Sequence, residues 1–470
     1  MTVTEEESRH AGRGPLVQYA TGSLGMGAWV TVPGLLLLYF LTNTLGVTPL
    51  VAGLALLVPK VIDAVIHPLF GTLSDREARR HGHRRGMMRF GLLLGLAMVA
   101  MFTVPGGIHG TPAALWVAGW YVVGNVCFAA FQVPYLTTPS DLRVGYHERT
   151  RVFMVRMVLL TVGLLAAGVA APILVSDEQR GSYTRMALVF AVVMVATGLV
   201  AIHGVRRLNA TCGFRDPAAH SQSVAADLRL AWGDRGFRLL VLSYLFTGAT
   251  THLVLAAVPF YAEHVLGRSG LTAVLMGAFL GPAMVTSPLW LRLSRRIGKQ
   301  RGLLLAQALF VLGTLTLVAG DRVSTVLTVA VVTVLGTSFA GLQLLAFSMV
   351  PDAVAAAERR GQSRAGAYTG VWTATEAVGT AVGPYVYSAA LAIGGFAAAV
   401  DGERVPQTAG AVDAVLVGFT VVPAILMAIA WLIQRRCALD HIPPVVEGAE
   451  SLGEQTPAEE HPVRHTGSPE

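Results

Sequence analysis

Lys60, Asp63 and His67 stand in the run Lys60-Val-Ile-Asp63-Ala-Val-Ile-His67-Pro68, inside a stretch apolar enough to cross a bilayer. At helical spacing these positions are i, i+3 and i+7, so an ammonium, a carboxylate and an imidazole share one face of one helix. Such a set can hold a cation, or pass a proton while a neighbouring charge takes over its partner. An ionised group at the centre of a spanning helix costs about 2.5 to 3.5 kcal/mol, so the face is expected to meet a partner or a water-filled cavity. Lys60, Asp63 and His67 are therefore read as a cation-coupling site within a transport pathway. The alternative reading of His67 is a histidine bonded to a carbonyl that Pro68 frees, and that of Lys60 and Asp63 is an ion pair locking helices together.

The elements that must position this face are membrane helices. Hydrophobic residues make up 53% of the chain and charged residues 13%, and the mean hydropathy is +0.59. Apolar runs of about 20 residues mark about twelve spans. They lie near 17–42, 49–73, 87–106, 113–135, 152–175, 185–204, 238–262, 270–293, 302–319, 323–350, 366–395 and 411–434. Basic residues fall in alternate connections: Arg76, Arg79, Arg80, Arg84 and Arg85 after the second span, Arg143, Arg149 and Arg151 after the fourth, Arg206 and Arg207 after the sixth. Arg292, Arg295, Arg296 and Lys299, then Arg359, Arg360 and Arg364, then Arg435 and Arg436 repeat the pattern in the second half. The positive-inside rule then predicts both termini in the cytoplasm and a multi-pass protein of the cell membrane. Topology thus accounts for the isoelectric point of about 9.6, and no nucleic-acid partner is expected.

The chain divides into a cytoplasmic N-terminal segment (1–16), two six-helix halves (17–205 and 237–434), a linker (206–236) with an amphipathic stretch around Val224 to Trp232, and a disordered cytoplasmic tail (435–470). The start is charged and polar, so no cleaved signal peptide is expected. Cys127, Cys212 and Cys437 are far apart and suggest neither a disulfide framework nor a metal site. Two echoes point to a duplication. Pro68-Leu-Phe-Gly-Thr-Leu-Ser-Asp75-Arg76 matches Pro288-Leu-Trp-Leu-Arg-Leu-Ser-Arg295-Arg296, and Val133-Pro134 matches Val350-Pro351. Asp75 of one half would face Arg295 of the other, so Asp75, Arg76 and Arg295 are read as a cytoplasmic gate.

Gly71-Thr-Leu-Ser-Asp75-Arg76 with Arg79 and Arg80 resembles the loop signature of the major facilitator superfamily. Lys60 to Gly71 is similar to the second-helix motif of its glycoside-pentoside-hexuronide cation symporters, the melibiose permease family. Tyr19 to Gly25, Gln132-Val-Pro134-Tyr135 with Glu148-Arg149-Thr-Arg151, and Met349-Val-Pro351-Asp352 with Gly370-Val-Trp372-Thr373 resemble further family segments, in the family's order. The resemblance implies an all-α fold of twelve transmembrane helices in two pseudo-symmetric halves, and alternating-access transport coupling a cation to a sugar-like solute. Against the family pattern, His67 replaces the second carboxylate of helix two, Gln132 replaces one in helix four, and Met26-Gly27 stands where sugar carriers place an acidic residue in helix one. A lone Asp63 beside two potential cations favours proton over sodium coupling. Solute-binding candidates are Trp29, Trp120, Gln132, Arg156, Trp372 and Glu376. Tryptophans in such positions also serve as interfacial or packing residues.

The expectation is a proton-coupled symporter of a glycoside or similar small solute, monomeric, with no cofactor and no metal. The alternative is a proton-driven exporter of a hydrophobic metabolite or drug. No phosphate-binding glycine loop, metal-ligand cluster or nucleophile-base motif points to an enzyme.

Overall fold

The computed structural model describes residues 10–175, 179–214, 229, 232–322, 324–359, 365–403 and 405–437. The expected tail beyond Cys437, and the linker's amphipathic stretch apart from Arg229 and Trp232, lie outside the described residues. The described chain folds into helices. Six belong to the first half: α1 (Arg13–Asn43), α2 (Pro49–His81), α3 (Arg85–Phe102), α4 (Gly110–Asp141), α5 (Tyr146–Leu174) and α6 (Arg180–Cys212). Six follow in the second: α7 (Arg235–Val265), α8 (Leu271–Ile297), α9 (Lys299–Gly320), α10 (Thr325–Arg359), α11 (Ala365–Ile393) and α12 (Ala409–Gln434). By length and apolarity eleven of the helices qualify as spans. The remaining one, α11, carries Thr373, Thr375, Glu376, Thr380 and Tyr385 and packs chiefly on α7 and α2, where protein rather than lipid covers much of it.

The helix α2 starts at Pro49, whose missing N–H falls where a helix needs none, and stops at Gly82, whose φ of +65° reverses the chain. Its 33 residues are far longer than the roughly 20 that a bilayer requires. Arg76, Arg79 and Arg80, expected in a loop, therefore continue the helix past the apolar segment. The turn that follows is tied down by Glu77, which accepts from the backbone N–H groups of Gly86 (2.6 Å) and Met87 (3.0 Å) at the start of α3.

Within the first half α1 packs on α5 and α6, and α2 on α4; within the second, α7 packs on α11 and α12, and α8 on α10. Two glycines make the closest approaches possible. A Cβ on Gly27 would lie 2.7 Å from the Leu164 backbone nitrogen, and one on Gly383 would lie 2.3 Å from the Ala249 carbonyl. The halves meet along α2 and α11, α5 and α8, and α1 and α7.

The hydrogen bonds between the halves gather at the end opposite the arginine-rich connections. Ala399 N–H donates to the Thr42 carbonyl (2.9 Å) and Asp401 N–H to that of Thr44 (2.8 Å), while Arg180 pairs with Asp401 at 2.5 Å. Deeper in, Glu263 accepts from the Tyr39 hydroxyl and from the Asn43 amide, the latter at 3.4 Å. Glu263 sits on a π-helical turn, Tyr261–Val265, that ends α7.

Candidate transport site

Lys60, Asp63 and His67 do share one face of α2. Lys60 Nζ lies 3.6 Å from Asp63 Oδ2, and His67 Nδ1 lies 3.2 Å from Asp63 Oδ1. Asp63 is buried, with 5% of its surface exposed, so its charge depends on these two neighbours. Because both belong to α2, the pairing is internal to one helix and does not clamp α2 to another. His67 Nδ1 faces the Asp63 backbone carbonyl at 3.0 Å, and Nε2 faces Gln132 Oε1 of α4 at 2.9 Å. Both ring nitrogens thus meet oxygen acceptors, which an imidazolium satisfies in full; a neutral ring satisfies them once the Gln132 amide turns over. Among the described residues Asp63 Oδ1 has no hydrogen-bond partner despite the short approach.

The wall facing α2 comes from α4, where Tyr121, Asn125 and Gln132 fall on one side. Lys60 Nζ lies 5.5 Å from the centre of the Tyr121 ring, a cation–π distance. Asn125 Nδ2 donates to the Pro59 carbonyl at 3.2 Å, while its Oδ1 is buried without a partner among the described residues. Trp29 of α1 is buried against Gly124, with its ring 5.9 Å from Tyr121 and its Nε1 unpartnered among the described residues. Trp29 therefore borders the cluster through Tyr121. By contrast, Trp120 pairs with Trp116 at 6.3 Å, and Trp116 donates to Ala100 of α3, so no identified contact brings Trp120 to Asp63. Arg156 of α5 is buried and makes no ion pair among the described residues. Its guanidinium lies 6.0 Å from the Tyr135 ring and 5.2 Å from Phe153, and among the described residues its Nε has no partner.

The second half supplies a different kind of site. Glu376 of α11 is half-buried beside Tyr244 of α7, whose hydroxyl lies 3.5 Å from Glu376 Oε1 and 3.2 Å from Gln343 Oε1. One hydroxyl proton serves either acceptor at a time. Trp372 stacks on Tyr244 at 4.0 Å and meets Phe347 edge-on at 5.3 Å, with its Nε1 buried and unpartnered among the described residues. The structure thus brings Trp372 and Glu376 together and adds Tyr244, Gln343 and Phe347.

At the arginine-rich end, Asp75 is bound to Arg84 (2.6 Å), not to Arg295; Arg76 and Arg295 are exposed. Arg84 is buried and also reaches Asp141 (2.8 Å) and Ser74 (2.9 Å). Burial works against the charge on Arg84, but Asp141 and then Asp75 outweigh it and raise its pKa. The second half repeats the arrangement: Lys299, after α8, pairs with Asp352 of α10 at 2.6 Å. In each half the turn after the second helix is thus tied to the end of the fourth.

Residues 18–441 match the family described as MFS/sugar transport protein. The chain belongs to this family of membrane transporters. Relatives include an uncharacterized symporter of Synechocystis (24% identical; 90% of this chain, 94% of that one) and the isoprimeverose transporter of Lactiplantibacillus pentosus (24%; 87% and 85%). The sodium-dependent lysophosphatidylcholine symporter 1 of Mus musculus is 25% identical over 72% of this chain and 69% of its own. Among solved structures, a mutant of the nucleoside transporter NupG aligns with a TM-score of 0.66 (14% identity; 90% and 98% coverage). An inward-facing bacterial homologue of the lysosomal transporter Spinster does so at 0.66 (15%; 92% and 98%). These establish the major facilitator fold and a transporter rather than an enzyme.

Several residues of the candidate site escaped sequence reading. Tyr121 and Asn125 carry a usable signal, since with Gln132 they repeat at helical spacing on an otherwise apolar α4. Tyr244 and Phe347 carry none, because aromatic residues on separate helices come together only when α7, α10 and α11 pack. Arg84 sat among other loop arginines, and only its burial between two carboxylates distinguishes it.

Proposed function

We propose that this transporter is a proton-coupled symporter of a glycoside-like solute, working by alternating access in the cytoplasmic membrane with its arginine-rich end in the cytoplasm. The observation that carries the reading is the α2 cluster. Asp63 is buried between two potential cations and keeps one carboxylate oxygen without a hydrogen bond. A proton arriving on Asp63 would release Lys60 toward Tyr121 and leave His67 to Gln132, so that protonation is felt on α4 as well as α2. A sodium ion would instead bring a third positive charge beside Lys60 and His67, with a single carboxylate to balance them. Positive-inside topology supports the orientation. Clustering of the inter-half bonds at the other end then corresponds to an inward-facing state.

For the solute, Gln132 and Arg156 in the first half and Glu376, Gln343 and Trp372 in the second offer hydrogen-bonding groups and an aromatic face, the usual means of holding a sugar ring. The name of the Lactiplantibacillus relative supports a glycoside. The aromatic surround of Glu376 favours a second reading, proton-driven export of a hydrophobic or amphiphilic solute. Uptake of labelled glycosides and lipophilic cations into proteoliposomes, with proton and sodium gradients imposed separately, tests both. Glycoside accumulation under a proton gradient is the expected result. Sodium-driven accumulation would overturn the coupling ion, and proton-driven movement of lipophilic compounds alone would replace the first reading with the second.

A further inference from the structure

The groove behind α11 is a site that the transport reading does not use. On α11, Val371, Thr375 and Val378 follow one another at i, i+4 and i+7, and at 100° per residue this stripe is turned well away from Trp372 and Glu376. Together with Val241 and Leu245 of α7 they line a cavity of about 450 Å³, within the size range of small-molecule sites. Its floor is almost wholly apolar, and Val378 is 40% exposed. Water would be a poor occupant.

The mouth has a different character. Arg229 and Trp232, both of the linker, line the groove at the arginine-rich end. Trp232 is 45% exposed, and its carbonyl accepts from Arg238 at 3.5 Å, which fastens it to the first turn of α7. Arg235 begins that helix and is exposed. Among the described residues no carboxylate pairs with Arg229. An apolar groove with an indole and a guanidinium at its mouth, and the exposed Arg235 at the start of α7, match one ligand in charge and shape. Its head is anionic and its tail is a hydrocarbon chain.

We propose that this groove binds an anionic phospholipid from the leaflet at the arginine-rich end, with an acyl chain between α7 and α11 and the phosphate at Arg229. The site shares α7 and α11 with the Tyr244–Trp372–Glu376 cluster but lies on another face of both, so it is separate from the solute pathway and stands whatever the solute proves to be.

Native mass spectrometry of the full-length protein, extracted from vesicles of equal palmitoyl-oleoyl phosphatidylglycerol and phosphatidylcholine, tests the proposal. The protein is expected to retain phosphatidylglycerol preferentially. Arg229→Gln should lower that retention about fivefold, the effect of one basic contact at a membrane surface. Val378→Trp, or the milder Ala374→Leu should the tryptophan prevent folding, should lower it by filling the groove while Arg229 stays. Equal retention of the two lipids, or retention of phosphatidylglycerol untouched by Arg229→Gln, would overturn the proposal. Loss in Arg229→Gln with full retention in both groove-filling variants would also overturn it, because the headgroup would then be held without a chain in the groove.

Discussion

The two halves of the molecule handle a carboxylate among their helices in opposite ways. In the first, Asp63 has Lys60 and His67 on its own helix at 3.6 and 3.2 Å, and the group is charge-compensated before anything binds. In the second, Glu376 has a tyrosine hydroxyl at 3.5 Å and a stacked indole nearby, with no cation within ion-pair distance among the described residues. A carboxylate that already holds its partners can lose and regain a proton without help from the solute. One that lacks them gains most from what the solute brings. On the proposed reading, the first half couples and the second recognises.

The largest effect is expected from Asp63→Asn, which removes the proposed proton site and leaves the half-buried Lys60 without its carboxylate. Gradient-driven accumulation should fall by about a hundredfold or more, while solute counterflow persists. Unchanged accumulation would end the assignment of coupling to the first half. A stability comparison comes next. Arg84→Ala strands Asp75 and Asp141 together and should cost about 3 kcal/mol. Its counterpart Lys299→Ala breaks a pair that is about two-fifths exposed and should cost less than about 1 kcal/mol. Thermal melts of the two variants in the same detergent would reveal whether the halves really differ.

Trp372→Ala should raise the half-saturating solute concentration about tenfold, the scale of a lost aromatic contact, without changing which gradient drives transport. A change in the driving ion instead would merge the two sites into one. The smallest effect belongs where the halves touch. Glu263→Gln keeps the shape of the contact with Tyr39 and Asn43 but weakens its charge-assisted bonds. It should shift the balance between states about fivefold toward opening at that end, read from distances between spin labels across it. A distribution identical to the parent would make Glu263 a packing residue.

Much of the site was legible in residue types. Lys60, Asp63 and His67 stood out because charges are rare in an apolar run, and their spacing was enough to put them on one face. The echo between Asp75-Arg76 and Arg295-Arg296 marked the right turns but the wrong partners for this conformation. Asp75 turned to Arg84 of its own half, a residue nine positions on, because the reversal at Gly82 folds that arginine back under α2.

The sequence by itself determined the number of membrane helices, the alternation of basic connections and the α2 face, because hydrophobic runs, charge placement and helical period are local properties of the chain. Tertiary structure decided the rest. Only the packing of α2 on α4 gave His67 its Gln132, only that of α7 on α10 and α11 surrounded Glu376 with Tyr244 and Trp372, and only the meeting of α1 with α7 joined Tyr39 to Glu263. Each of these depends on which helix faces come together at close range, and a face acquires a partner only when another helix packs against it.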